Sequence, residues 1–67
     1  MAVSYKKLWH ILLDRNMKKK DLENQAGISH YQMYKLSKDM DVTTDVIRSI
    51  CVALDVKMDD IMEFVSE

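Results

Sequence analysis

Lys18-Lys19-Lys20-Asp21-Leu22-Glu23-Asn24-Gln25-Ala26-Gly27-Ile28-Ser29-His30-Tyr31-Gln32-Met33-Tyr34-Lys35-Leu36-Ser37-Lys38 is the stretch on which the rest of the chain is organised. Its first part reads as a helix from about Lys19 to Ala26, with Leu22 and Ala26 four apart on one face. Its last part reads as a helix from about His30 to Ser37, with Met33 and Leu36 as the inward pair. Gly27 lies between them; it is the only glycine in a chain that has no proline. The residue best able to take a positive φ therefore falls between two apolar-periodic segments, which is the signature of a tight turn. Ile28 is apolar within that turn and is expected to point inward. Ser29 is placed to cap the helix that follows.

Two short helices around a tight turn make a helix-turn-helix, whose second helix can enter the major groove of DNA. The second helix here leaves His30, Tyr31, Gln32, Tyr34, Lys35 and Lys38 mostly outward. Together they present donors, acceptors and flat apolar area, unlike an ordinary solvated face. Ahead of the first helix stands Lys18-Lys19-Lys20. Positive charge at a helix N-terminus is unfavourable by a few tenths of a kcal/mol per residue, since the helix dipole is positive there. A threefold cost of that kind points to an anion at this end, such as a phosphate. Lys18 is a poor capping residue, and Asp21 in the first turn partly compensates.

The flanking segments read as the support for this pair. Residues 1–3 read as a loose start, and Ser4 as the cap of a first helix from Tyr5 to about Asn16. Leu8, Trp9, Ile11, Leu12 and Leu13 give that helix a wide apolar face. Asn16 tolerates the left-handed conformation that ends a helix, and Met17 is placed as an apolar staple for the next one. Residues 39–42 read as a linker. Thr43 caps a fourth helix, about Thr44 to Leu54, with Val46, Ile47, Ile50, Cys51, Ala53 and Leu54 as its apolar set. A fifth helix is predicted over Met58 to Phe64. No strand pattern or internal repeat is legible.

Composition bounds the function. Sixty-seven residues make one domain, and a chain of this size buries only about 60% of its unfolded surface. No apolar run approaches the roughly 18 residues of a membrane span, and no signal peptide is legible, so a cytoplasmic protein with no membrane partner is expected. A single cysteine excludes an internal disulfide framework. Net charge is −1, but it is divided unevenly. Residues 1–38 carry eight Lys/Arg and three Asp/Glu, giving +5; residues 39–67 carry two and eight, giving −6. That asymmetry gives the helix-turn-helix half a basic face suited to nucleic acid and leaves an acidic half turned away from it.

Enzymatic chemistry finds no constellation. His10 and His30 fall on different helices, and Cys51 lies on an apolar stripe where a structural thiol is expected. One cysteine and no closely spaced histidine pair give no metal-ligand pattern, and Asp59, Asp60 and Glu63 read as charges favouring the start of the last helix. Neither a catalytic residue nor a cofactor is therefore expected. Of the six methionines, Met40 and Met58 flank connections and are the two expected to be exposed.

The segment Met17-x-x-x-x-Leu22-x-x-x-Ala26-Gly27-Ile28-Ser29, followed by Met33-x-x-Leu36, resembles the Cro/C1-type (Xre) helix-turn-helix regulators. Thr43-x-x-Val46-x-x-x-Ile50-Cys51-x-Ala53-Leu54-Asp55-Val56 and Asp60-Ile61 are similar to that family's fourth and fifth helices, so the resemblance covers about residues 4–65. It implies an all-α fold, a compact five-helix lambda-repressor-like DNA-binding domain with the helix-turn-helix at helices 2 and 3. It also implies that His30, Tyr31, Gln32 and Lys35 face base edges, while Ser29, Lys38 and the Lys18–Lys20 run touch phosphates. On this reading Gln32 pairs with adenine and Lys35 with guanine. Two features depart from the pattern. Many relatives cap the second helix with Ser or Thr where this chain has Lys18. Some join a first-helix arginine to a glutamate ending the third, where this chain has Leu12 and Ser37.

The expectation is a sequence-specific double-stranded-DNA-binding regulator, a repressor-like homodimer on a palindromic operator, with Met62, Phe64 and Val65 as candidates for the dimer contact. The competing expectation is a protein-interaction module on the same fold, such as an antitoxin-like or anti-repressor partner. No ligand-sensing segment is legible, so no small-molecule effector is expected to act through this chain.

Overall fold

The computed structural model describes residues 2–66. In chain order the elements are β1 (Ala2–Ser4), α1 (Lys6–Asp14), α2 (Lys19–Ala26), α3 (His30–Ser37), α4 (Thr44–Leu54), a single 3₁₀ turn (Met58–Asp60) and β2 (Glu63–Val65). The three central helices have the expected bounds. The two ends of the chain do not.

The predicted fifth helix is only the 3₁₀ turn, so among the described residues there are four α-helices rather than five. Of the residues in this segment only Ile61 is fully buried. One inward residue gives no apolar stripe to hold a longer helix against the core, and tertiary packing supplies most of the stability of a short helix. The chain leaves the turn extended, and Glu63–Val65 pairs antiparallel with Ala2–Ser4 in the register Ala2↔Val65, Val3↔Phe64, Ser4↔Glu63. The start expected to be loose is therefore a strand over Ala2–Ser4, while Met1 lies outside the described residues. Local patterning could not reveal this ribbon: each strand has three residues, and its partner is about sixty residues away in sequence. Lys7 fastens α1 to the same end, donating from Nζ to the carbonyl of Asp59 at 3.1 Å and approaching Glu63 Oε2 at 3.9 Å.

α1 starts one residue later than the sequence suggests. Tyr5 occupies its cap position without a side-chain cap bond, and the hydroxyl of Ser4 accepts only a long 3.4 Å bond from the Lys6 N–H. Tyr5 is instead drawn into the core, 1% exposed. The apolar face of α1 is also narrower than expected. Leu8 and Leu12 are buried, Trp9 and Ile11 are half-buried, and Leu13 is 73% exposed.

All four helices end in the same way. Asn16, Gly27, Asp39 and Asp55 each take a left-handed conformation, with φ of 55°, 68°, 54° and 56°. The next residue then donates its N–H back to the carbonyl five positions earlier: Met17 to Leu12, Ile28 to Glu23, Met40 to Lys35, and Val56 to Cys51, at 2.8–3.1 Å. This is the bond of a Schellman ending, and it answers one carbonyl that the helix leaves unpaired. The donor is apolar every time, as the hydrophobic contact of that ending requires. Asn and Asp serve at three of the four positions because their short polar side chains tolerate left-handed backbone.

The core gathers Tyr5, Leu8 and Leu12 from the first helical segment, Leu22 from α2, Met33 and Leu36 from α3, and Val46, Ile47, Ile50 and Leu54 from α4, closed by Val3 and Ile61. Ile28 packs inward against it as expected. Met40 and Met58 are exposed, again as expected. Among the described residues no helix is long and apolar enough to cross a membrane.

Candidate nucleic-acid interface

The N-terminus of α2 forms one side of the basic face. Lys18 is extended (φ −93°, ψ 162°) and offers no cap, but its own N–H donates to Asp21 Oδ2 at 2.9 Å. Asp21 thus compensates by satisfying the backbone as well as by its charge. The first N–H groups of α2 receive no side-chain acceptor from the cap position and are left facing outward, which suits an anion. Lys18, Lys19 and Lys20 are all exposed. They are not equivalent, since the ammonium of Lys19 lies 4.7 Å from the centroid of the Trp9 ring.

Gly27 (φ 68°, ψ 31°) then turns the chain so that α3 packs across α2. Ser29 Oγ accepts from the Gln32 N–H at 3.2 Å and fixes the start of α3. With Met33 and Leu36 buried, the opposite face of α3 carries Tyr31 and Tyr34, 62% and 50% exposed. Each tyrosine carries a lysine four residues on. Lys35 Nζ stands 4.9 Å from the Tyr31 centroid, and Lys38 Nζ stands 6.0 Å from that of Tyr34. A ring beneath an ammonium holds it by the ring quadrupole. The two pairs therefore form a strip of alternating flat apolar surface and positive charge along α3.

His30 lies beside this strip on the α2 side, where its Nδ1 meets Glu23 Oε2 at 3.3 Å. The two residues help to line an open groove of about 420 Å³ between α2 and α3, together with Lys19, Lys20, Tyr34 and Ser37. The Glu23 link was not read from the sequence. The available signal was a carboxylate seven residues before a histidine across a tight turn, which brings the two onto facing helices.

Gln32 does not stand outward as expected. It is half-buried, and its Oε1 is shut off from solvent with no hydrogen-bond partner. Helix geometry explains this. Gln32 precedes Leu36 by one turn and so sits at the edge of the buried stripe rather than opposite it. Tyr34 stands outward, as expected. Among the described residues no group of three His, Cys, Asp or Glu side chains is arranged to hold a metal ion.

A basic helix N-terminus and an aromatic–lysine strip are thus joined across one left-handed turn, in a helix-turn-helix arrangement. A family model for the Cro/C1-type HTH DNA-binding domain matches residues 7–67. The chain belongs to the Cro/C1-type family. It is also similar, over 98% of its length, to 88% of a crystallised chain of the transcriptional regulator VanUg, Form II, at 41% identity and a TM-score of 0.94. No curated protein matches it.

Within the Cro/C1-type frame, the departure at Leu12 and Ser37 has a structural account. Leu12 is buried in the core, and Ser37 Oγ donates back to the carbonyl of Tyr34 at 2.7 Å. The end of α3 is tied to the first helical segment elsewhere. Tyr5 donates its hydroxyl to the Met40 carbonyl at 2.8 Å and its backbone N–H to Asp39 Oδ1 at 3.1 Å. This Cro/C1-type domain therefore does have a polar tie between its first and third helices, made by residues immediately outside both.

Proposed function

We propose that the chain is a sequence-specific regulator of double-stranded DNA, working in the cytoplasm as a repressor-like homodimer on a palindromic operator with α3 in the major groove. The observation that carries this reading is the strip of α3 formed by Tyr31–Lys35 and Tyr34–Lys38, in which Lys35 is half-buried and the other three are exposed, flanked by the lysines at the start of α2. His30, Tyr31 and Lys35 are the base readers: Lys35 suits guanine O6 and N7, and Tyr31 offers its ring to a thymine methyl. Gln32 joins them by turning its side chain out from the edge of the core. Lys18, Lys19, Lys20, Ser29 and Lys38 contact phosphates, which fix register rather than sequence.

One such domain spans few base pairs, so two copies on half-sites about one helical turn apart are the fitting arrangement. Support for a homodimer comes from the far end of the molecule, where Phe64 is 66% and Val65 37% exposed beside the half-buried Met62. Selection of bound duplexes from a random pool tests the reading. The expected result is a two-fold-symmetric sequence whose affinity falls steeply with salt. Uniform, weak binding to every duplex would refute it.

A second reading, a protein-interaction module, draws on the exposure of Val52 (76%), Met58 (52%) and Phe64. Tight complex formation with a protein, without salt-sensitive DNA affinity, would favour it.

A further inference from the structure

Glu23 is a carboxylate in the groove that it lines with Lys19 and Lys20, beside the strip proposed to meet DNA. A negative charge there repels phosphate, so its presence calls for a local partner. Lys19 and Lys20 precede it by four and three residues on α2, but neither forms an ion pair with it. Lys19 lies over Trp9 instead. Lysine N-terminal to glutamate is the less favourable order for a helical pair. The one polar partner of the Glu23 side chain among the described residues is His30 Nδ1, at 3.3 Å. The exposures differ sharply: the Glu23 side chain is 17% exposed and that of His30 is 90%. The carboxylate is held in the groove while the imidazole stands out from it.

We propose that Glu23 is a positioning residue for base reading, holding His30 in the tautomer with its proton on Nδ1 so that the bare Nε2 points outward as an acceptor. A carboxylate only accepts, so the imidazole nitrogen facing it must be the one carrying the hydrogen. In a neutral ring the other nitrogen is then the acceptor. An outward acceptor matches the exposed amino groups of the major groove, N4 of cytosine and N6 of adenine, and does not match guanine O6/N7 or thymine O4. The groups around the ring are Glu23, Lys19 and Lys20 from α2 and Tyr34 from α3. Of these, only Glu23 accepts from Nδ1. This inference rests on the reading of α3 as the major-groove helix.

The test compares wild type with Glu23→Gln and Glu23→Met. Both variants remove the charge and raise general DNA affinity alike. Gln keeps an oxygen that can accept from Nδ1–H, whereas Met keeps the bulk without it. Imidazole ¹⁵N spectra of the free protein, recorded with the ring neutral, report the tautomer directly, with His10 on α1 as the internal reference. The expected result is an Nδ1–H tautomer for His30 in wild type and Glu23→Gln, lost in Glu23→Met. On DNA, one operator position should prefer cytosine or adenine by roughly fivefold, the size of one hydrogen bond. Glu23→Gln should keep that preference and Glu23→Met should lose it, with discrimination at the other positions unchanged.

An Nε2–H tautomer in wild type, or the same tautomer and preference in Glu23→Met, overturns the proposal. Failure of the wild type to select any sequence refutes the DNA reading and the base preference with it. The spectra of the free protein still decide whether Glu23 holds the ring.

Discussion

The hydroxyl of Tyr5 donates to the carbonyl of Met40 at 2.8 Å, and this bond joins the entry to α1 with the exit from α3. The same residue's N–H reaches Asp39 Oδ1, so the left-handed residue that ends α3 is held from both sides. α3 is thereby anchored at its C-terminal end by a buried aromatic, while Ser29 fixes its start. Tyr5→Phe keeps the ring and deletes the bond. It should cost about 1 kcal/mol, more if the Met40 carbonyl finds no water. Urea unfolding should show a lower midpoint at unchanged slope. No change in midpoint would make the bond structurally idle.

Tyr5 also sets an alkaline limit on stability. Burial, followed by the nearby Asp41 and Asp39, pushes its phenol above the ordinary value near 10. The folded state then holds the proton more tightly than the unfolded chain. Its contribution is fully present below the unfolded value and is lost as pH rises through the folded one. Cys51 is displaced in the same direction by burial and by Asp60. Unfolding free energy should therefore fall through the alkaline range, and Cys51→Ala combined with Tyr5→Phe should flatten that fall. An equally steep fall in the double variant would assign it to other groups.

Gly27 separates conformation from space. A Cβ placed there meets no atom within 4 Å, so only the positive φ opposes a side chain. Gly27→Ala should cost about 1–2 kcal/mol, the penalty of left-handed backbone for an ordinary residue. Gly27→Asn should cost clearly less, because Asn16 already serves at the matching place in α1. Thermal melts of the two variants check the order, and equal losses would contradict it.

Lys35 and Lys20 should fail in different ways. Lys35→Ala removes a proposed base reader and should relax discrimination at one operator position by roughly 1–3 kcal/mol. Lys20→Ala removes a proposed phosphate contact and should weaken binding to all sequences alike, with the salt slope smaller by about one. Titrations at several salt concentrations against matched and mismatched duplexes separate the two. A changed slope without lost discrimination for Lys35→Ala would move it to the phosphate set.

Phe64→Glu places a charge on the exposed strand β2 and should leave the monomer folded, since the native ring is mostly outside the core. Sedimentation should show loss of the proposed dimer, with operator affinity falling along with it. An unaltered dimer would exclude this face.

The middle of the molecule was legible because its signals are local. Gly27, the caps at Ser29 and Thr43, and the apolar spacings in α2, α3 and α4 each act within one or two turns of helix. They fixed three helices to their observed bounds and, with the charge division, the basic face. Gln32 lies inward of its expected place because one residue of helical phase separates an outward side chain from one at the edge of the core, and only the packed neighbour, Leu36, defines that edge.

What the residues determined by themselves is thus the helix-turn-helix and the sign of its surface. Tertiary structure decided the rest. The ribbon between Ala2–Ser4 and Glu63–Val65, the tie from Tyr5 to Asp39 and Met40, and the contact of Glu23 with His30 all join residues across turns or across the whole chain. Such contacts form only once the core has set the distances, and no periodicity in the sequence encodes them. The lysine run placed positive charge at the start of α2 from local sequence alone. How firmly α3 is held is decided by a tyrosine that belongs to neither helix of the motif.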